Sequence, residues 1–207
     1  DADYVMLDIS GRTDAHPIDV RRAFDTLIES GEFGIEDATD GYVLLRRKQG
    51  TGDPSRTLPD AFYNFARVRR AQPQYPSLIE FDGRLRFLGY DVIDDPKWRQ
   101  TYLRLYWQPL VPLYDDPRPW PVIYSEDGEL IEDASQRPMV VPLWYPPSQW
   151  QTDEIIMTET IPWDLGPRFN VGLAVLQDTN AGSESTDAAP NFGDPARRLT
   201  ITKAGSD

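Results

Sequence analysis

The chain contains no cysteine, which excludes a disulfide framework, a thiolate nucleophile and any cysteine-ligated metal site. Histidine is nearly as scarce. The one residue of that type, His16, stands directly before Pro17, where a surface or helix-capping role is expected, and no second histidine is present to share a metal. No serine motif announces a triad of the Ser-His-Asp kind. Neither common glycine-rich phosphate loop occurs, so no nucleotide cofactor is expected. No apolar run approaches the roughly 18 residues of a membrane-spanning helix, and the N-terminus lacks a basic segment followed by an apolar one. Basic residues are also short, with 21 against 34 acidic ones and a net charge of -13. That balance opposes nucleic-acid phosphates and anionic lipid heads as partners. The local clusters Arg46, Arg47, Lys48 and Arg67, Arg69, Arg70 lie beside acidic stretches and read as solvated faces.

What is present suffices for a folded core, since 40% of 207 residues are hydrophobic, enough for one larger domain or two small ones. Residues 4 to 9, YVMLDI, form a short continuous apolar run closed by Ser10 and Gly11, the pattern of a buried strand. A helix is expected next, with Pro17 in its first turn, Ile18, Phe24, Leu27 and Ile28 along one face, and Gly31 just past its end. FGIEDA and GYVLLRR flank Thr39, Asp40 and Gly41 and predict a hairpin. The opening DADYVMLDI enters this pattern directly, as an excised piece of a longer protein would.

KQGTGDPSRT, residues 48 to 57, breaks every periodicity and marks a linker. A short helix is predicted over Leu58 to Ala71, packing Leu58, Phe62, Phe65 and Val68. From Leu78 onward, short β-rich runs recur between turn residues, as in a sandwich or barrel. LIEFDGRLRFLGYDVI turns at Asp82 and Gly83, and PVIYSEDGELI at Asp127 and Gly128. TYLRLYW alternates, with Tyr102, Arg104 and Tyr106 on one side and Leu103, Leu105 and Trp107 on the other. MVVPLWY, DEIIMTETI, FNVGLAVLQ and RRLTITK are read as further strands. Pro117, Pro119, Pro121, Pro146 and Pro147 are expected at strand ends. The acidic stretch from Asp178 to Asp194 is expected as a long hairpin loop. The fold class is therefore α+β: a small α/β segment at residues 1–50, a linker and connecting helix at 51–76, and an antiparallel β-sandwich at 77–207, immunoglobulin-like or jelly-roll-like.

Candidates for chemistry are few. The carboxylate neighbours Asp94 with Asp95, Asp115 with Asp116, and Glu132 with Asp133 could serve a carbohydrate hydrolase, provided a cleft set two carboxyls about 5 to 10 Å apart. Calcium would need six to eight oxygens from one loop, and no ligand spacing for it is recognised, so no metal site is expected. The aromatics are more suggestive, because exposed tryptophan or tyrosine can stack on a sugar or anchor a protein. Trp107, Trp150 and Trp163 read as core. Trp98, Trp120 and Trp144, near proline-rich turns, are the candidate ligand-binding residues for a glycan or a protein.

ADYVMLDI, a helix, and DGYVLLRR together resemble the soluble segment that follows the membrane helices in the bacterial family called domain of unknown function 2079, polytopic proteins of the GT-C glycosyltransferase type. LRFLGYDV, LRLYWQPL, PPSQWQTDEII and NVGLAVLQD resemble the β-sandwich module appended to such proteins, notably in Chloroflexota. Two departures stand out: RPWPVIYSEDGEL replaces an aromatic strand leading to a D-x-D-G turn, and the last hairpin carries the long acidic loop. The resemblance implies a non-catalytic extracytoplasmic domain, joined to the membrane only through a transmembrane portion outside this sequence. It would recognise glycan or protein, or support a membrane-embedded glycosyltransferase, with no catalytic residue in this chain. A purely structural interaction module is the remaining alternative, recognisable by one exposed apolar patch.

Overall fold

A computed structural model of the chain describes residues 3–9, 16–48, 54–95, 99–133, 138–176 and 198–202. The first strand, β1 (Tyr4–Asp8), leads to helix α1 (Pro17–Glu29) and the hairpin of β2 (Phe33–Thr39) and β3 (Tyr42–Arg47). α1 starts where the sequence predicts: His16 caps it, accepting the Ile18 amide on Nδ1 at 3.3 Å. It ends at Gly31, whose φ of 73° is the left-handed conformation that closes helices. In the hairpin, Asp40 and Gly41 both take positive φ, 47° and 82°, as a two-residue turn matched to strand twist requires. β3 lies between β1 and β2 in an antiparallel sheet. One face of that sheet buries Phe33, Ile35, Ala38, Val43 and Leu45 against Phe24 of α1.

Between the two parts the predicted helix over Leu58 to Ala71 is not formed as such. A 3-10 helix spans Asp60–Phe65 and the two-residue strand β4 (Arg67–Val68) follows. The physical reason is tertiary: the backbone at Arg67 and Val68 pairs with a later strand, and the Arg67 side chain is drawn into an ion-pair cluster described below. Propensity yields to such contacts routinely.

The remainder is an antiparallel sandwich. β5 (Tyr75–Phe81), β6 (Leu85–Asp95), β7 (Gln100–Pro109) and β10 (Ile155–Glu159) join β4 in the order β4-β10-β7-β6-β5. β8 (Arg118–Ser125), β9 (Leu130–Asp133), β11 (Arg168–Leu176) and β12 (Arg198–Thr202) form the second sheet in the order β12-β11-β8-β9. The chain crosses between sheets from β7 to β8, and β10 and β11 retrace that crossing antiparallel beside them. Phe87, Leu103, Leu105 and Trp107 from one sheet meet Ile123, Phe169, Val171 and Leu173 from the other. The alternation in TYLRLYW thus predicts the inward set correctly. Trp107 is fully buried and its indole N–H donates to Thr158 Oγ1 at 3.1 Å, so the core's largest ring carries no unsatisfied donor.

Two expectations are corrected. MVVPLWY is not a strand, because Val140–Trp144 forms the short helix α2, with the Tyr145 amide donating to the Val141 carbonyl at 2.7 Å. Pro119 and Pro121 do not end a strand either: they lie within β8, opposite Val175 and Leu173 of β11. β9 pairs only with the Val122–Tyr124 stretch, so both prolines occupy a part of β8 with a ladder on one side, where a missing N–H can face the open side. The segment from Asp178 to Asp194 lies outside the described residues.

α2 is what joins the two parts. Trp144 is 2% exposed and inserts between Phe24, at 5.1 Å between ring centroids, and Phe62, at 5.7 Å. The Arg21 guanidinium lies 5.0 Å over its ring and donates to the Leu143 carbonyl at 3.3 Å. Truncation of so large a buried ring leaves a cavity that rigid neighbours cannot fill. Trp144→Ala is therefore expected to destabilise the fold by about 3–5 kcal/mol. Urea unfolding followed by fluorescence checks this, and a loss under about 1 kcal/mol would show that the junction is not tightly packed.

Candidate interaction face

The three tryptophans singled out in the sequence are not brought together. Trp98 lies outside the described residues. Trp144 is enclosed in the junction just described. Trp120 is 7% exposed, on the outward side of β8 with Val122, Tyr124 and Ala174, and its indole N–H donates to Asp133 of the neighbouring β9. Neither described ring offers an open face for stacking.

The acidic neighbours are likewise committed to structure. Adjacent positions in a strand send their side chains to opposite faces, so Asp94 and Asp95 in β6, and Glu132 and Asp133 in β9, do not face each other across a cleft. Asp94 accepts from Thr101 Oγ1 at 2.6 Å. Asp115 pairs with Arg84, whose hydrogen bond holds its carboxyl below the usual range. Asp116 accepts the Ser148 amide at 2.9 Å and contacts Arg118 at 3.3 Å. Among the described residues no group of three or more acidic or histidine side chains is placed to hold a metal ion.

Two polar clusters are more elaborate. Arg67 lies 2.7 Å from Asp60 and 2.8 Å from Glu154, and it donates to the Tyr145 hydroxyl at 3.1 Å. That hydroxyl donates to Glu154 at 2.6 Å. Burial first, then the hydrogen bond to Glu154, push the Tyr145 hydroxyl well above its ordinary value, against the nearby guanidinium. The group therefore stays neutral and serves as a strut between β4, β10 and the segment after α2. On the outer side of the larger sheet, Tyr106 donates to Asp91 at 2.6 Å, and the Gln74 amide donates to the other Asp91 oxygen at 2.7 Å. Burial, followed by this hydrogen bond, pushes Tyr106 up to about 12.

The exposed apolar groups concentrate elsewhere. On the sheet of β1, β3 and β2, the side opposite α1 presents Tyr4, Met6 and Tyr42, at 54%, 69% and 47% exposure. The register explains the grouping: Met6 lies opposite Leu44, Asp8 opposite Tyr42 and Tyr4 opposite Arg46, and directly paired residues share a face. Reading YVMLDI as a wholly buried strand is thus corrected. Only Val5, Leu7 and Ile9 turn inward, towards the smaller core. The rim is charged at Arg46, which shares the face with Tyr4 and lies 3.1 Å from Glu36, whereas Arg47 belongs to the opposite side, its guanidinium over the Phe33 ring. Large apolar side chains inside a polar rim are the anatomy of a protein-binding surface.

The chain matches no family model, no curated protein and no solved structure.

Tyr106 generates a pH prediction. In the unfolded chain its hydroxyl ionises near 10 and in the folded chain near 12, so the unfolded state gives up its proton first as pH rises. The contribution is intact below pH about 10 and is lost between about 10 and 12. Tyr106→Phe is expected to flatten the fall in stability over that window, as read by denaturant midpoints at pH 9 and 11. An unchanged slope would assign the alkaline loss to other groups.

Proposed function

We propose that this chain is a non-catalytic recognition domain that docks a protein partner through the open face of its small sheet. The observation that carries the reading is the gathering of Tyr4, Met6 and Tyr42 on one solvent-facing surface, while the described candidate tryptophans are enclosed. Aromatic residues and methionine are enriched in the buried centres of protein interfaces. In the same reading the domain belongs to the extracytoplasmic side of a longer membrane protein, and supports a membrane-embedded glycosyltransferase. What supports that setting is the resemblance carried by ADYVMLDI and DGYVLLRR, the segments that contribute β1 and β3.

The test is site-specific photocrosslinking in the cells that produce the protein, with a benzophenone amino acid replacing Tyr42, or replacing Leu78 as a distant exposed control. One discrete protein adduct at position 42, absent at 78 and lost on Tyr4→Ser with Met6→Ser, is the expected result. Those two exposed substitutions should change unfolding stability by no more than about 0.5 kcal/mol each, so loss of the adduct would report lost docking. No adduct at 42, together with saturable glycan binding abolished by Trp120→Ala, would replace the protein partner with a sugar.

A further inference from the structure

The open face ends at β1, beyond which no strand lies among the described residues, and the pairing register fixes the direction of the backbone there. In an antiparallel pair, alternate residues exchange both hydrogen bonds with the partner strand and the residues between them point their N–H and C=O the other way. The Arg47 amide donates to the Asp3 carbonyl at 2.8 Å, and the Ile9 amide donates to the Gly41 carbonyl at 3.2 Å. Positions 3 and 9 therefore face β3, as do Val5 and Leu7 between them. Tyr4 and Met6 direct their backbone donors and acceptors outward, away from the sheet. Among the described residues no strand pairs with that side of β1.

Four of the five other sheet edges carry devices by which proteins discourage such pairing, the fifth, β12, pairing with β11 without a break. β2 has a bulge between Ile35 and Asp37 and is crossed by Ser55, whose carbonyl takes the Ile35 amide at 2.7 Å. β4 is two residues long. β5 carries Pro76 and a register shift after it, and β9 is interrupted by a further shift. β1 has none of these. Its five residues pair without a break, contain no proline, lysine or arginine, and place two exposed apolar side chains beside the outward-pointing amides.

We propose that a partner protein binds by adding an extended strand to the outer edge of β1. This inference rests on the docking reading above and specifies its mode. The charge pattern fixes the chemistry of the incoming strand. β1 is bracketed by Asp3 and Asp8 with no basic residue between them, the basic side chains of β3 at Arg46 and Arg47 are engaged by Glu36 and Glu32, and the chain carries a net charge of -13. An incoming strand with lysine or arginine alternating with aliphatic residues would meet this edge with complementary charge, and its aliphatic positions would extend the Tyr4 and Met6 surface. A second copy of this chain would bring like charge to like charge.

The probe is a fluorescein-labelled nine-residue peptide alternating arginine with valine, set against a counterpart in which glutamate replaces arginine, with anisotropy as the readout. The arginine peptide is expected to bind at least 10-fold more tightly. Met6→Ala removes the side chain and keeps the outward N–H, whereas Met6→Pro removes both. Because that N–H does not serve β3, the proline is expected to leave the sheet folded, which circular dichroism and the thermal midpoint verify. Binding at least 10-fold weaker in Met6→Pro than in Met6→Ala is the expected outcome. Equal binding by the two variants, with loss on Tyr42→Ala, would overturn strand addition and leave docking through the face standing. Binding untouched by all three variants, or no binding of either peptide, would overturn the proposal itself. A dimer in sedimentation that Met6→Pro dissolves would assign the edge to a second copy instead. As an independent readout, amide exchange at Met6 is expected to slow when the arginine peptide is bound, and unchanged exchange would count against the edge.

Discussion

Everything in this structure turns on the insertion of Trp144 between Phe24 and Phe62. A three-stranded sheet with one helix has too little apolar area to hold itself together with any margin. Here the missing area comes from a distant part of the chain: α2 and the 3-10 helix at Asp60–Phe65 close the smaller core from outside. Arg21 fixes the fit by lying over the indole ring and donating to the Leu143 carbonyl. Next to this wedge, Arg67, Tyr145 and Glu154 tie β4 and β10 to the same segment through a half-buried cluster. Removing one member of such a cluster leaves its partners with unmet charge, which is more damaging than the pair's net worth. Apolar contact joins the two parts, and the ion pairs hold the angle at which they meet.

The sandwich meets different demands. Its central strands β7 and β8 are long and apolar on the inward side, and β10 and β11 cover them. Two threonines that enter the core are each matched to a donor. Thr158 takes the Trp107 indole N–H, and Thr160 takes the Leu103 amide. In β6, Gly89 takes a φ of 135°, and a Cβ there would come within 2.5 Å of the Tyr75 carbonyl oxygen. Any side chain at this position would force β5 away from β6, and the positive φ taken there, beside the register shift of β6 against β7 between Phe87 and Gly89, is one that glycine adopts without strain.

Much of this was legible in the sequence because its signals were local. The Asp-Gly turns at 40–41 and 82–83 and the glycine at 128 all show the positive φ that those residues favour. The alternation over Thr101 to Trp107 needed only a two-residue period. The misread segments were those decided by distant partners. MVVPLWY is rich in β-forming residues, yet it becomes α2 because Trp144 must reach Phe24. Leu58 to Ala71 has an apolar helical face, but Arg67 is claimed by Glu154 and Tyr145. The open face was hidden for another reason. Apart from Asp8 the run YVMLDI is apolar throughout, so composition alone cannot tell that Tyr4 and Met6 look outward while Val5 and Leu7 look in. The candidate tryptophans show the converse: proximity to prolines suggested exposure at Trp120 and Trp144, and packing buried both.

The bond from Arg21 to Leu143 spans 122 positions of sequence, and that span sets a schedule for synthesis. The first helix and hairpin leave the ribosome well before the tryptophan that completes their core exists. At about 5–20 residues per second, the newborn sheet waits on the order of ten seconds with an unfinished interior. Over that interval the smaller core is the part of the chain whose apolar surface stays uncovered longest by its own later residues.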